Sequence, residues 1–283
     1  MLESPPATRF IPLATTAFEL PMNSHEMPDV QSSHDARDIA IDQVGIKAIR
    51  HPVTIHDDGQ ELASVAECQL TVGLPADKKG THMSRFVALL NEGPLRLSVD
   101  TLADWTRTMI ERLEAQSGEA HFTFPYFVAK DAPVSGQGAM MDYDVTLSGR
   151  VEHGRAHIGV KLVIPVTSLC PCSKEISAYG AHNQRSHITV EGEISDPSLS
   201  LRALIEAVEA QGSCPLWGLL KRPDEKYITE YAFDNPKFVE DMVRDVANAL
   251  EGYPGLNGFS IGVENFESIH NHSAWAVIHR PGR

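Results

Sequence analysis

Residues 141–166 read MDYDVTLSGRVEHGRAHIGVKLVIPV. Met141, Tyr143, Val145, Leu147 and Val151 fall on one side of an alternating stretch, while Asp142, Asp144, Thr146 and Ser148 fall on the other. That period of two is the mark of a strand with one wet face. Glu152-His153-Gly154-Arg155 reads as a turn, after which Ile158, Val160, Leu162, Ile164 and Val166 alternate in the same way. Two such runs joined by a tight turn pair as an antiparallel hairpin. The same pattern extends outward in both directions. Before the hairpin come a strand at 65–72, with Ala66, Cys68, Leu70 and Val72 inward, and a short apolar segment at Ser84–Leu90. A helix follows at 100–116, on the spacing of Leu102, Trp105, Met109 and Leu113, and then a strand at 121–130. After the hairpin come a strand at 186–194 and a helix at 199–210. A second helix has Asn235 as N-cap and Pro236 as its first residue, ending at Gly252, and strands at 258–264 and 273–279 close the chain.

The second half is therefore ββααββ, and residues 44–151 read the same way. Sequential antiparallel strands with paired helices on one face make the fold class α+β and exclude a doubly wound parallel sheet. Two modules are expected, 39–153 and 154–283, behind an arm over 1–38 that is disordered in part. Pro5, Pro6, Pro12, Pro21 and Pro28 deny that arm a helix or a central strand.

The chain has 283 residues, 24 Lys and Arg against 38 Asp and Glu, and a formal charge of −14. A surface of that sign repels a phosphate backbone, which argues against a nucleic-acid partner while leaving room for a small anion in a local pocket. The longest apolar run, Leu162–Val166, is far short of the ~20 residues that span a bilayer. With no apolar leader near the N-terminus, the expected location is cytoplasmic, with no membrane partner. In a reducing compartment the four cysteines are thiols. No G-x-G-x-x-G or P-loop string is present.

Chemistry concentrates in four places. The densest is SLCPCSKEISAYGAHNQRSH, Ser168–His187. Cys170 and Cys172 are separated by one proline, so an extended backbone projects both sulfurs to one side, and His182 lies ten residues beyond Cys172 across a glycine-containing loop. Thiolates and imidazoles bind zinc, iron and manganese. Ser168, Ser173, Lys174, Asn183, Gln184, Arg185 and Ser186 are a poor lining for a sealed core and a good one for a polar ligand. The second is ESIHNH, Glu267–His272, whose histidine pair suits acid–base work or metal ligation. The third, Lys221–Asp241, is mostly solvated charge, with Glu240 beside the apolar stripe of its helix. The fourth, GTHMSRF at Gly80–Phe86, reads as an ordinary turn and cap.

Taken together, C-P-C-S-K at 170–174, A-H-N-Q-R-S at 181–186, N-P-K-F-V-E-D at 235–241 and H-N-H at 270–272 resemble the GTP cyclohydrolase IB family, an alternative to the type I enzyme of folate synthesis. The likeness covers about residues 29–283. It implies a tunnelling fold, with ββααββ modules closing an oligomeric barrel, a tetramer, and active sites at subunit interfaces. It also implies metal-dependent conversion of GTP to 7,8-dihydroneopterin triphosphate and formate. By motif, Cys170, His182 and Glu225 are the implied ligands of one divalent metal per site: zinc, manganese or iron(II). Cys172 is implied to transfer protons or tune the site, His270 and His272 to handle protons or touch the phosphates, Glu240 to anchor guanine, and Lys174 and Arg185 to meet the triphosphate. A related branch makes a cyclic phosphate product. A zinc nucleobase deaminase would need a second cysteine three residues after Cys172, which is absent. A non-catalytic metal- or purine-binding module has no use for Glu240 or the His270/His272 pair.

Overall fold

The computed structural model describes residues 29–282. The strands are β1 (Ile41–Asp57), β2 (Gln60–Leu74), β3 (Leu95–Leu97), β4 (Gly118–Asp131), β5 (Gly138–Glu152), β6 (Arg155–Leu169), β7 (Asn183–Ile194), β8 (Leu256–Asn265) and β9 (Ala274–Arg280). The helices are α1 (Met83–Leu90), α2 (Leu102–Arg112), α3 (Pro171–Ile176), α4 (Leu201–Glu209), α5 (Arg222–Asp234) and α6 (Val239–Leu250). They build one nine-stranded sheet in the order β3-β1-β2-β4-β5-β6-β7-β8-β9. Every neighbouring pair is antiparallel except the short β3, which runs parallel on β1.

The alternation read from residues 141–166 is realised: Tyr143, Val145, Leu147, Val160, Leu162, Ile164 and Val166 are buried. At the β5–β6 turn both His153 and Gly154 have positive φ, the backbone that matches strand twist in a two-residue hairpin. The inward residues of all the long strands join one hydrophobic cluster spanning both halves of the chain, each large aliphatic group contributing about 1.5–3 kcal/mol on burial. The helices pack on this face, α2 against β4 and β5, α4 against β6, and α6 against β8 and β9. At Gly149 a Cβ would come 2.3 Å from Thr106 Oγ1, so α2 rests directly on the β5 backbone. The opposite face is polar and exposed, carrying Glu67, Gln69, Thr123, Asp144, Lys161 and Glu191. A carboxylate of the first half also starts a helix of the second. Asp57 accepts Leu201 N–H (2.9 Å), Arg202 N–H (3.1 Å) and the Tyr126 hydroxyl (2.7 Å), placing negative charge at the α4 N-terminus.

Two expectations are corrected. Asn235 and Pro236 do not open the last helix. Asn235 is the C-cap of α5, and α6 begins at Val239 with Asp241 accepting Phe238 N–H at 3.0 Å. The helix α5 is additional to those read from the sequence. Its start is set by Pro223 in the first turn and by Asp224, which accepts Lys221 N–H at 2.8 Å. Of the expected arm, residues 1–28 lie outside those described, but the segment from Asp29 is docked. Gly80 N–H donates to Gln31 O and Lys79 N–H to Ser33 O, each at 3.1 Å, and His34 bridges Lys78.

Asp224 also gathers the loop before β5. It accepts Val134 N–H (2.8 Å), Ser135 N–H (2.8 Å) and the Ser135 hydroxyl (2.7 Å). Burial pushes this carboxyl up, but the hydrogen bonds from Ser135, Lys221 and Val134 outweigh it and hold it well below the usual carboxylate range. A depressed folded-state pKa contributes stability above the unfolded value near 3.9 and loses it as pH falls through the folded value. Asp224→Asn should therefore lower the melting temperature at pH 7, with the gap to the parent closing below about pH 4. A gap that is constant from pH 7 to pH 3 would show that the charge contributes nothing.

Candidate active site

The sequence clusters converge at the end of the sheet where β6 finishes and β7 begins. Leu169 pairs with Asn183, and Cys170 N–H donates to His182 O at 3.1 Å, so the thiol and the imidazole spring from adjacent backbone. Cys170 is the N-cap of α3, its sulfur accepting Ser173 N–H at 3.5 Å. Ser173 Oγ in turn donates to Cys170 O (3.1 Å) and accepts His182 N–H (3.2 Å), bracing the pair. This corrects the extended C-P-C reading. Pro171 opens a helix, so Cys172 lies inside α3 and is exposed while Cys170 is half-buried, and positions two apart on a helix do not face each other.

The ESIHNH loop meets this pair: His182 Nδ1 stands 3.2 Å from Ser268 Oγ, and Phe266 N–H donates to Arg185 O at 3.0 Å. His270 and His272 stack with centroids 5.2 Å apart and are both exposed. The third cluster also reaches the site, because Lys237 N–H donates to Leu169 O at 3.1 Å, which brings Glu240, exposed in the first turn of α6, to the same end of the sheet. Arg185 projects to the polar face and is exposed. Lys174 is engaged elsewhere. Its ammonium donates to Phe233 O at the C-terminal end of α5 and lies 4.3 Å from the centre of the Phe233 ring.

Glu225 is not brought to Cys170 and His182 within one chain. It is exposed in the first turn of α5, eight residues before Phe233, or about 12 Å along the helix axis. Among the described residues no group of three or more His, Cys, Asp or Glu stands ready to hold a metal. Cys170 and His182, side by side and with the chemistry of soft and borderline ligands, fit two positions of a zinc, manganese or iron(II) site.

A buried polar chain beneath the pair was only half visible in the sequence. Gln184 Oε1 lies 3.0 Å from His182 Nδ1, and Gln184 Nε2 donates to Ser168 Oγ at 2.6 Å. Ser168 Oγ is 2.8 Å from Ser186 Oγ, and Ser186 Oγ is 2.7 Å from Asn265 Oδ1. All four residues are buried. Ser168 continues the inward phase of Ile164 and Val166, and Gln184 and Ser186 share that of Ile188 and Val190. Polar residues at core positions of a strand are the signal that marks them. Close by on the polar face, His187 packs edge-on against Phe266 at 4.8 Å, and burial together with Arg185 lowers its pKa below the usual value.

Residues 27–276 match the model of a family described as type I GTP cyclohydrolase folE2. The chain is similar to GTP cyclohydrolase FolE2 of Azoarcus sp. (strain BH72), with 55% identity over 267 residues, 93% of this chain and 99% of that protein. Similarity to GTP cyclohydrolase FolE2 of Burkholderia vietnamiensis (strain G4 / LMG 22486) is 55% over 258 residues, 91% and 96% of the two chains. Among solved structures, uricase from Arthrobacter globiformis covers 86% of this chain and 94% of its own at 10% identity, with a TM-score of 0.48.

Proposed function

Since this chain belongs to the type I GTP cyclohydrolase folE2 family, we propose that the end of the sheet around Cys170 and His182 is where it acts on GTP. It is an enzyme, a GTP cyclohydrolase, catalysing the first step of folate biosynthesis. GTP is opened and reclosed to 7,8-dihydroneopterin triphosphate with release of formate. The non-catalytic and cyclic-phosphate alternatives are not favoured. With β3, α3 and α5 added to it, the element order keeps ββααββ twice, the tunnelling-fold arrangement that the resemblance implies.

The observation that carries the site is the contact of His182 Nδ1 with Ser268 Oγ, which joins the thiol-bearing segment to the histidine-rich loop across 86 residues of sequence. Cys170 and His182 would hold a divalent metal, whose contribution when bound would be to acidify a water into a nucleophile near neutral pH. Glu240 accepts two parallel hydrogen bonds from the ring and exocyclic N–H groups of guanine, the pairing that a carboxylate makes best. The stacked His270 and His272, with the exposed Cys172, take and return protons as the imidazole ring of the base opens. Arg185 meets the triphosphate, and Lys174 joins it on leaving Phe233. Glu225 supplies the third ligand in the assembled oligomer. Nothing in the site asks for a location other than the cytoplasm, and among the described residues no helix is long and apolar enough to cross a membrane.

The protein is proposed to assemble as a homo-oligomer, a tetramer, and the same geometry supports assembly. Cys172, Glu240, His270 and His272 all lie open to solvent in one chain, and among the described residues β9 is a sheet edge with no further strand beside it; such edges are satisfied when a barrel closes. Sedimentation should show no stable, active species at the chain mass of 31.0 kDa, and an active monomer would overturn the assembly. The function itself is tested by incubating metal-loaded protein with GTP, then assaying formate and, after oxidation, pterin fluorescence. Both should appear together and both should vanish on chelation. Metal-loaded protein that binds GTP but releases no formate would overturn the assignment.

A further inference from the structure

We propose that Gln184 is a positioning residue that locks His182 in the tautomer with the proton on Nδ1, so that Nε2 presents its lone pair to a divalent cation. The proposal rests on His182 as a metal ligand and deepens that reading. A neutral imidazole ligates through the nitrogen that carries no proton, and the proton's position is set by what the other nitrogen meets. Here Nδ1 faces Gln184 Oε1 at 3.0 Å. An amide has one accepting and one donating end, so this contact is an acceptor only while the amide cannot turn over.

The buried chain below holds the amide end that faces away from His182. Ser186 Oγ stands as a donor 2.7 Å from Asn265 Oδ1 and 2.8 Å from Ser168 Oγ, and Ser168 Oγ accepts Gln184 Nε2 at 2.6 Å. With Nε2 held on Ser168, Oε1 is the end that faces Nδ1, and a flipped amide would lose that bond and aim its NH2 at Nδ1–H, an opposed pair among buried groups. Ser168 and Ser186 are fully buried, so nothing outside the chain competes for these bonds. Ser268 Oγ, at 3.2 Å, is a second acceptor for the same Nδ1–H, which ties the histidine-rich loop to the ligand that the chain orients.

The test uses zinc alone, then manganese(II) alone, and measures affinity by chelator competition on the intact oligomer. The proteins are the parent, Gln184→Leu, Gln184→Glu, Ser168→Ala and His182→Ala, and the melting temperature of each is taken without metal. Removing a partner that orients a ligating histidine typically weakens metal binding about 10- to 100-fold, and Gln184→Leu should fall in that range. Gln184→Glu keeps an acceptor at Nδ1 and can accept from Ser168, so it should bind as the parent does. A purely structural role would not be rescued in that way. Ser168→Ala frees the amide and should weaken binding by less than Gln184→Leu. Parent affinity in Gln184→Leu, with His182→Ala impaired, overturns the proposal. Parent affinity in His182→Ala overturns the ligand reading beneath it. Should Gln184→Leu fail to fold, Ser168→Ala decides, and undiminished affinity there overturns the proposal.

Discussion

Cys170→Ala is expected to be isolated folded, free of bound divalent metal and inactive on GTP. The Cys170 N–H to His182 O bond sets the two residues on adjacent backbone, and a thiolate is the donor that the neighbouring residues cannot replace. Removing it leaves only His182 and the Glu225 carboxylate that the assembled oligomer supplies, so metal affinity should fall by at least about a hundredfold, more than loss of an outer partner costs. Folding should survive. The backbone bond to His182 remains, and the lost acceptor for Ser173 N–H is an N-cap contribution of about 1 kcal/mol on a six-residue helix. Metal content by elemental analysis, with turnover assayed in parallel, separates the outcomes. A variant that retains stoichiometric metal would remove Cys170 from the ligand set, and Cys172, exposed on α3, would not be positioned to replace it.

The second large effect is expected at Glu240. Glu240→Gln keeps the shape of the side chain but turns one acceptor oxygen into a donor that meets a guanine N–H head-on. An opposed polar pair in a desolvated pocket costs about 1–3 kcal/mol, or roughly tenfold to a hundredfold in binding or turnover of GTP. Glu240 is exposed in the first turn of α6 while its neighbours Val239, Met242 and Val243 are buried, so the melting temperature should change little, an exposed substitution being worth within about 0.5 kcal/mol. Kinetics with GTP and calorimetry on the same preparation check both halves of the statement. Unchanged kinetics would move guanine recognition to another carboxylate. Of those in the same sequence clusters, Glu230 is paired with Lys226 at 2.5 Å, whereas Glu267, whose backbone N–H donates to Asn265 O, sits on the loop beside His182.

Element by element, legibility followed how local the cause was. The β5–β6 hairpin was readable because burial on one face writes a period of two directly into residues 141–166. The first strand was harder to delimit. β1 breaks register with β2 between Ile46 and Ile49, and Ala48 takes a positive φ, so the alternation slips where the chain bulges. The helix α5 hid because its buried positions are few, Asp224 and Ala232, leaving no clear apolar stripe, although Pro223 and Asp224 mark its start. The paired Asn235-Pro236 looked like a helix opening and is instead the exit from that hidden helix.

What the sequence determined by itself was the alternating strands, the doubled order of elements and the identity of the chemistry-bearing residues, because each of these is set by neighbours within a few positions. Tertiary structure alone decided which of those residues meet. Pairing of β6 with β7 and of β7 with β8 aligns Leu169 with Asn183 and Ser186 with Asn265, and that register carries Ser268 to His182 and threads Ser168, Gln184, Ser186 and Asn265 into one buried chain. The same packing holds Lys174 on Phe233 and leaves Glu225 at the other end of α5. Register is a property of the whole sheet: one residue of slip turns every side chain of a strand to the opposite face, so the meeting of residues some 80 positions apart is settled by the burial of the entire hydrophobic cluster.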